Sequence, residues 1–132
     1  MTTLTMPHIT LLFAACAALF QVALTALVIA HRAQKDIPFL DGGDTALLRR
    51  MRAHGNFTET MPIALLLLGL LELHGLGSPW LWTFGAALML GRLVHAYGLL
   101  TPGVLWARVS GMLATLAVIS IQAIACLWIF IV

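Results

Sequence analysis

The chain has 132 residues, of which 61% are hydrophobic and 9% charged, and its formal net charge at pH 7 is +2. A mean hydropathy of +1.02 is too high for a soluble domain of this size, so the composition indicates a protein of the lipid bilayer. A chain of this length and composition has no room for a separate soluble domain, and we expect no nucleic-acid partner.

Four apolar segments have the length of ~20 residues that a membrane-spanning helix needs. They predict spans at about 9–30, 45–74, 79–100 and 104–132. The first is expected to be a retained helix and not a signal peptide, because no lysine or arginine precedes it and its apolar stretch is too long. The sequence therefore predicts an all-α fold, an antiparallel four-helix bundle that forms a single membrane domain over residues 1–132.

The connections between the spans carry turn and capping signals. Pro38 and the run from Asp41 to Asp44 predict a loop, and the Asp44 carboxylate can cap the second helix. Pro79 suits the first turn of the third helix, where no amide donor is needed. The Thr-Pro-Gly sequence at 101–103 predicts the last tight turn.

The basic residues are concentrated beside the first and third connections, whereas the 72–79 turn and both termini have none. They are Arg32, Lys35, Arg49, Arg50, Arg52, Arg92 and Arg108. By the positive-inside rule the 31–48 loop and the 100–104 turn face the cytoplasm, and both termini lie on the opposite side. We therefore expect a multi-pass integral membrane protein whose polar site lies toward the cytoplasm.

The second span begins with a polar stripe. At ~100° per residue, Arg52, Asn56 and Glu59 fall on one narrow face of a helix. A charge at mid-span costs ~2.5–3.5 kcal/mol, so we expect Arg52, Glu59, Arg92 and Arg108 to face the interior and to find partners there. Pairing Glu59 with one arginine leaves two positive charges over, and this favours an anionic ligand that completes the site.

The histidines and cysteines point to no metal site. No two of the five histidines are spaced three or four residues apart, and neither cysteine completes a ligand set. Cys16 and Cys126 are expected to be packing residues. His95 differs from the other histidines because it lies one turn from Arg92 on the same helix face.

The spacing Arg-x3-Asn-x2-Glu-x2-Pro, here Arg52, Asn56, Glu59 and Pro62, resembles the second-helix signature of the MAPEG family, the membrane-associated proteins in eicosanoid and glutathione metabolism. The segment GRLVHAYG at 91–98 is similar to the third helix of the same family. The resemblance covers most of the chain. Family members include microsomal glutathione transferases, leukotriene C4 synthase and microsomal prostaglandin E synthase.

This resemblance implies a homotrimer that binds glutathione as co-substrate between adjacent subunits near the cytoplasmic side. The glutathione ligands that it implies are Arg52, Asn56, Glu59, Arg92, His95 and, from the neighbouring subunit, Arg32. Arg108 corresponds to the family's thiol-activating arginine. No metal is expected.

The expected function is a membrane glutathione-dependent transferase that conjugates or reduces lipophilic electrophiles, with lipid hydroperoxide peroxidase activity as a further expectation. Arg108 would stabilise the thiolate, which attacks a bilayer-dissolved electrophile between helices one and four. The chain departs from the eicosanoid enzymes at Leu99, Thr60 and Val109, where they carry tyrosine or serine, so the resemblance supports glutathione binding better than eicosanoid chemistry. The sequence does not identify the electrophile. Two alternatives remain: a non-catalytic protein that binds lipid or glutathione, and a small multidrug-type transporter, although arginines near Glu59 would repel a cationic drug.

Overall fold

The computed structural model describes residues 6–132, and these form four long helices. The helices are α1 (His8–Lys35), α2 (Thr45–Leu73), α3 (Ser78–Leu100) and α4 (Leu105–Ile131). Each is long and apolar enough to cross a membrane. Residues 6–132 contain no β-strand, so the predicted all-α, four-helix fold is confirmed. Residues 1–5, which the sequence assigned to the same domain, lie outside the described part.

Helix α1 is longer than the apolar stretch that predicted it. It continues past residue 30 to Lys35 and ends where Asp36 adopts a left-handed conformation, with φ +53°. The backbone N–H of Asp36 donates to the carbonyl of Arg32 there. Hydropathy predicts only the part of the helix that lies in the hydrocarbon of the membrane. The last turns carry basic side chains, so they fall outside the apolar stretch although they are helical.

Helix α2 begins at the predicted cap. Asp44 Oδ1 accepts hydrogen bonds from the backbone N–H groups of Ala46 (2.8 Å) and Leu47 (2.9 Å). Its Oδ2 lies 3.0 Å from Nε2 of His31, a buried residue of α1. The hydrogen bond with His31, followed by that from the Leu47 amide, lowers the pKa of the Asp44 carboxyl to about 2. The contact ties the end of α1 to the start of α2.

A second carboxylate ties the other ends of the same two helices together. Near the end of α2, Glu72 Oε1 accepts from the Ile9 amide at 2.8 Å and Oε2 from the Thr10 amide at 2.7 Å. Pro7, at the start of α1, provides no side-chain cap. Glu72 therefore supplies from another helix the acceptors that the first turn of α1 lacks.

The four helices pack with α2 and α3 in the middle and α1 and α4 on opposite flanks. Helix α1 contacts α2 and α3, α4 contacts the same two helices, and α1 and α4 do not meet in residues 6–132. One apolar cluster fills the half of the bundle near the 72–79 turn, with Phe13, Ala64, Leu68, Leu71, Leu81, Phe84, Leu88 and Val118. A second fills the half near the basic connections, with Ala17, Leu24, Ala53, Phe57, Met61, Ala96 and Leu99.

Helices α3 and α4 approach each other closely at glycines. A Cβ at Gly111 would lie 2.5 Å from the carbonyl oxygen of Gly91 and 2.5 Å from the backbone nitrogen of His95. No side chain fits in that space, so small residues allow the two backbones to touch. This contact fixes the register of α3 against α4 beside His95.

The expectation that both cysteines are packing residues is wrong for Cys16. Cys126 is half-buried, but Cys16 is exposed on the protomer surface. Helix α1 buries Phe13, Ala17 and Leu24, and Cys16 lies about 100° around the helix from Ala17. It therefore faces away from the bundle.

Candidate functional site

A cavity of about 370 Å³, which we call the central cleft, is lined by residues of α2, α3 and α4. Its lining residues are Arg52, Asn56, His95, Arg108, Val109, Met112 and Leu113. Cavities of ~300–1,000 Å³ are typical of small-molecule sites. Four of the residues that the sequence singled out, Arg52, Asn56, His95 and Arg108, therefore share one cavity.

A second cavity, the linking cavity, adjoins the central cleft and has a volume of about 280 Å³. It is lined by Thr45, Leu48, Arg49, Arg52, Gly98, Leu99 and Arg108. Arg52 and Arg108 line both cavities, so their side chains lie at the boundary between the two. The cleft thus extends along α2 toward the basic end of the bundle.

His95 presents a hydrogen-bond acceptor at the cleft. The side chain is only 2% exposed, and Nδ1 lies 2.7 Å from the backbone carbonyl oxygen of Arg108. A carbonyl only accepts, so Nδ1 carries the proton, and in the neutral ring Nε2 is left with a free lone pair. Nε2 is buried and has no partner within residues 6–132. The same contact attaches the backbone of Arg108 to α3.

Asn56 adds a second acceptor. Its Nδ2 donates to the carbonyl of Arg52, one turn earlier in α2, at 3.0 Å. One N–H of the amide is used in this bond, and the second N–H and the acceptor Oδ1 remain for a ligand. The cleft therefore combines two guanidinium donors, from Arg52 and Arg108, with two neutral acceptors. None of its lining residues offers a thiol, hydroxyl or carboxylate group.

Arg92 is a buried cation that lacks a counter-charge. It is 1% exposed, its Nη1 lies 3.9 Å from the sulfur of Met112, and Nε has no partner in the described part of the chain. Met112 lines the central cleft, so Arg92 lies directly behind the wall of that cavity. An uncompensated buried charge is strongly unfavourable, and an anion in the cleft would offset it.

The expectation that all four mid-span charges face the interior is correct only for Arg92. Arg52, Glu59 and Arg108 are exposed on the surface of the protomer. For Arg52 and Glu59 the physical reason is the face that α2 buries, because its apolar residues pack inward and the polar stripe lies beside them on the outer side. Arg108 is exposed because α4 turns the neighbouring Ala107 and Gly111 toward the bundle instead. Charged groups on the outside of a membrane helix need a cover other than lipid.

Glu59 does not pair with an arginine, as the sequence had suggested. Within residues 6–132 the one salt-bridge contact joins His31 and Asp44. Glu59 lies 14 residues beyond Thr45, about 20 Å along α2 at 1.5 Å per residue. Its Oε1 is 3.9 Å from the position that a Cβ would take at Gly55, so the carboxylate lies along the outside of its own helix.

Arg32 is separated from the other predicted ligands. It lines a different cavity on the α1 and α2 flank, together with Met51 and His54. Its Nη1 donates to the Ile37 carbonyl at 3.2 Å, and Nη2 lies 3.4 Å from the Met51 sulfur. Within one protomer Arg32 therefore does not reach the central cleft.

No metal-binding group of three or more His, Cys, Asp or Glu side chains occurs in the described residues. One further residue of this site, Met112, was not predicted from the sequence. Met112 lies four residues after Arg108 and so on the same face of α4, a spacing that could have revealed it. Arg49, which the sequence did not name as a ligand, lines the linking cavity.

The chain was compared with known proteins. The family model described as the MAPEG family matches residues 10–128. This chain belongs to the MAPEG family. It is 34% identical over 117 residues to the inner membrane protein YecN of Escherichia coli (strain K12), which covers 89% of this chain and 88% of the relative, and equally to YecN of Escherichia coli O6:H1 (strain CFT073). No solved structure gives a significant match.

Membership confirms the resemblance that the second-helix motif predicted. It also supports a multi-pass integral membrane protein, in agreement with the four apolar helices. Of the MAPEG motif, Arg52 and Asn56 line the central cleft, whereas Glu59 lies outside it on the protomer surface. The third-helix segment contributes the two buried polar residues, Arg92 and His95.

Proposed function

We propose that this MAPEG protein is a membrane glutathione transferase, in which a glutathione thiolate attacks lipophilic electrophiles. One observation carries the proposal: Arg52, Asn56, His95 and Arg108 line one cleft, and the buried, unpaired Arg92 lies behind it. This arrangement suits a small ligand that is anionic overall and also carries hydrogen-bond donors.

Glutathione in its thiolate form has these properties. It carries two carboxylates, one ammonium group and one sulfur anion, so its net charge is −2. Arg52 and Arg108 line the cleft and Arg92 lies behind it, and these three positive charges favour a ligand whose net charge is negative. The Asn56 Oδ1 and His95 Nε2 acceptors would receive ligand N–H groups, because neither atom has a hydrogen-bond donor within residues 6–132.

Arg108 is the proposed catalytic residue. A guanidinium close to the sulfur in a poorly solvated cleft stabilises thiolate over thiol and lowers the thiol pKa by about one unit or more. The hydrogen bond from His95 to the Arg108 carbonyl holds the backbone of this residue in place. Val109 and Leu113, which are both exposed, extend the cleft toward lipid, where an apolar electrophile would arrive.

The homotrimer belongs to the same proposal. A neighbouring copy would cover Glu59 and Arg52, which lie on the outer face of a membrane helix. It would also bring its own Arg32 to the cleft, which Arg32 cannot reach within a protomer. Because α1 and α4 do not touch in one protomer, an electrophile groove between them would form from α4 of one subunit and α1 of the next.

We further propose that the basic end of the bundle faces the cytoplasm and that both termini lie on the other side. Two cysteine variants test this orientation in a background with Cys16 and Cys126 replaced by serine. Phe39→Cys in the first loop should react with an impermeant thiol reagent from the cytoplasmic side, and Gly77→Cys in the second loop from the opposite side. Labelling of both positions from one side would contradict the topology.

The activity is tested by ultraviolet difference absorbance, which detects thiolate when glutathione is added to detergent-purified protein. We expect a saturable thiolate signal with glutathione and none with S-methylglutathione, which should bind without forming a thiolate. Conjugation of an aryl halide and reduction of an organic hydroperoxide then separate transferase from peroxidase activity. Saturable binding without any thiolate signal would instead support a non-catalytic binding protein.

A further inference from the structure

A fourth cavity, the basic-end cavity, lies at the start of α2 and has a volume of about 310 Å³. It is lined by Leu27, Thr45, Ala46, Arg49, Arg50, Leu100 and Pro102. It shares Thr45 and Arg49 with the linking cavity and no residue with the central cleft. The proposed transferase chemistry uses neither Arg49 nor Arg50, so this cavity needs its own explanation.

The charge of the cavity is positive and uncompensated. Arg50 Nη1 donates to the Leu27 carbonyl at 3.2 Å, which holds one guanidinium against the wall. Arg49 makes no hydrogen bond to any of residues 6–132. No carboxylate lines the cavity, and the nearby Asp44 already accepts bonds from two backbone amides and contacts His31.

The rest of the lining is largely apolar and extends toward the membrane interior. Leu27 lies eight residues before the last residue of α1, which is about 12 Å along the helix at 1.5 Å per residue. Leu100 and Pro102, at the end of α3 and in the following turn, form the other wall. A small inorganic anion would gain nothing from these walls, whereas an acyl chain would bury apolar surface against them.

We propose that the basic-end cavity binds the phosphate of an anionic phospholipid, with Arg49 and Arg50 on the phosphate and the adjoining acyl carbons against Leu27 and Leu100. Guanidinium groups bind phosphate oxygens through paired charged hydrogen bonds. Basic pockets at the cytoplasmic ends of membrane helices are suited to such headgroups. The ligand would bridge α1, α2 and the turn after α3, and so stabilise the end of the bundle from which the linking cavity opens.

The test measures thermal unfolding of the full chain in detergent against increasing short-chain phosphatidylglycerol, with phosphatidylcholine and inorganic phosphate in parallel. We expect phosphatidylglycerol to raise the unfolding midpoint saturably, and phosphatidylcholine and inorganic phosphate to have little effect. Arg49→Gln should weaken the apparent affinity about tenfold or more, since one charged hydrogen-bonding partner is lost. Because Arg49 makes no hydrogen bond within residues 6–132, its removal should change unliganded stability little.

Lys35→Gln is the matched control, because it removes an exposed cation from the same end of the bundle but outside the cavity. It should retain the wild-type response to phosphatidylglycerol. Arg50→Gln should weaken the response as Arg49→Gln does. If Lys35→Gln weakened the response to phosphatidylglycerol equally, the effect would be one of general surface charge. If inorganic phosphate raised the unfolding midpoint as much as phosphatidylglycerol does, the cavity would be a free-anion site. Either result overturns the lipid assignment.

Discussion

Helices α2 and α3 both contribute polar side chains to the site, but they hold them in different ways. Arg92 and His95 of α3 are buried, and close packing against α4 fixes the helix that carries them. Arg52 and Glu59 of α2 are exposed, and the stripe has only local hydrogen bonds, such as that from Asn56 to the Arg52 carbonyl. Helix α3 therefore forms a fixed wall, whereas the polar stripe of α2 lies open on the protomer surface.

The largest effect is expected when the exposed charged groups of α2 are removed. Arg52→Ala and Glu59→Ala should each weaken glutathione binding by about 2–5 kcal/mol, provided that ligand and subunit bury them as charged hydrogen bonds. Isothermal calorimetry on folded variants measures this loss. Lys35→Ala, which removes a charge outside both cavities, serves as the control and should bind normally. Unchanged affinity in both α2 variants would make the stripe a structural feature only.

The second prediction separates binding from chemistry at Arg108, whose backbone is attached to the fixed wall. Arg108→Leu should lose the thiolate absorbance and lower conjugation of an aryl halide by ~10²-fold or more, while much of the glutathione affinity remains. Arg108→Lys should rescue only part of the rate, because an ammonium lacks the planar fork of a guanidinium. Full thiolate formation and normal turnover in Arg108→Leu would contradict this role, and Arg92 or His95 would then be the candidates for thiol activation.

A third prediction concerns a variant that disrupts the close contact between α3 and α4. Gly111→Ala places a methyl group 2.5 Å from backbone atoms of Gly91 and His95, and such overpacking should destabilise the protein by about 1–3 kcal/mol. Gly69→Ala in α2 is the control, because its new Cβ would lie 3.5 Å from Thr10, an ordinary contact, and alanine favours the helix. Thermal unfolding in detergent compares the two. If Gly111→Ala is as stable as Gly69→Ala, the close contact does not hold α3 and α4.

The smallest expected effect concerns the anchoring of α2 at its start. The pKa of Asp44 is lowered from 3.8 to about 2, so its ionised form stabilises the fold fully above pH 3.8. That contribution is lost as the pH falls toward 2. Asp44→Asn should abolish this part of the acid dependence and lower stability slightly at neutral pH, as followed by unfolding in detergent between pH 2 and 6. An identical acid profile in wild type and variant would rule out Asp44 as its source.

The fold could be predicted from the sequence because hydropathy and turn signals act locally. The four helices, the Asp44 cap and the position of Pro79 in the first turn of α3 all follow from residues close together in the chain. The site was harder to predict. Helical spacing placed Arg52 and Asn56 on one face correctly, but whether that face points inward depends on how α2 packs against its neighbours.

Contacts between distant residues could not be predicted for the same reason. Glu72 is 63 residues from Ile9, and no sequence pattern predicts that its carboxylate caps α1. The bond from His95 to the Arg108 carbonyl likewise depends on the register of α3 and α4, which the glycine contact sets. The motif was enough to predict the family. The tautomer of His95 and the lack of a charged partner for Arg92 among the described residues depend on how the helices pack, so the sequence could not reveal them.

The Glu72 contact also bears on how the chain enters the membrane. The first amides of α1 receive their acceptor only when α2 has crossed the bilayer in the opposite direction, because Glu72 stands at the far end of that helix. A lone α1 would lack this charged acceptor, and water would have to satisfy those N–H groups instead. Insertion of α1 and α2 together as a helical hairpin avoids that intermediate, so the pair is suited to leave the translocation machinery as one unit.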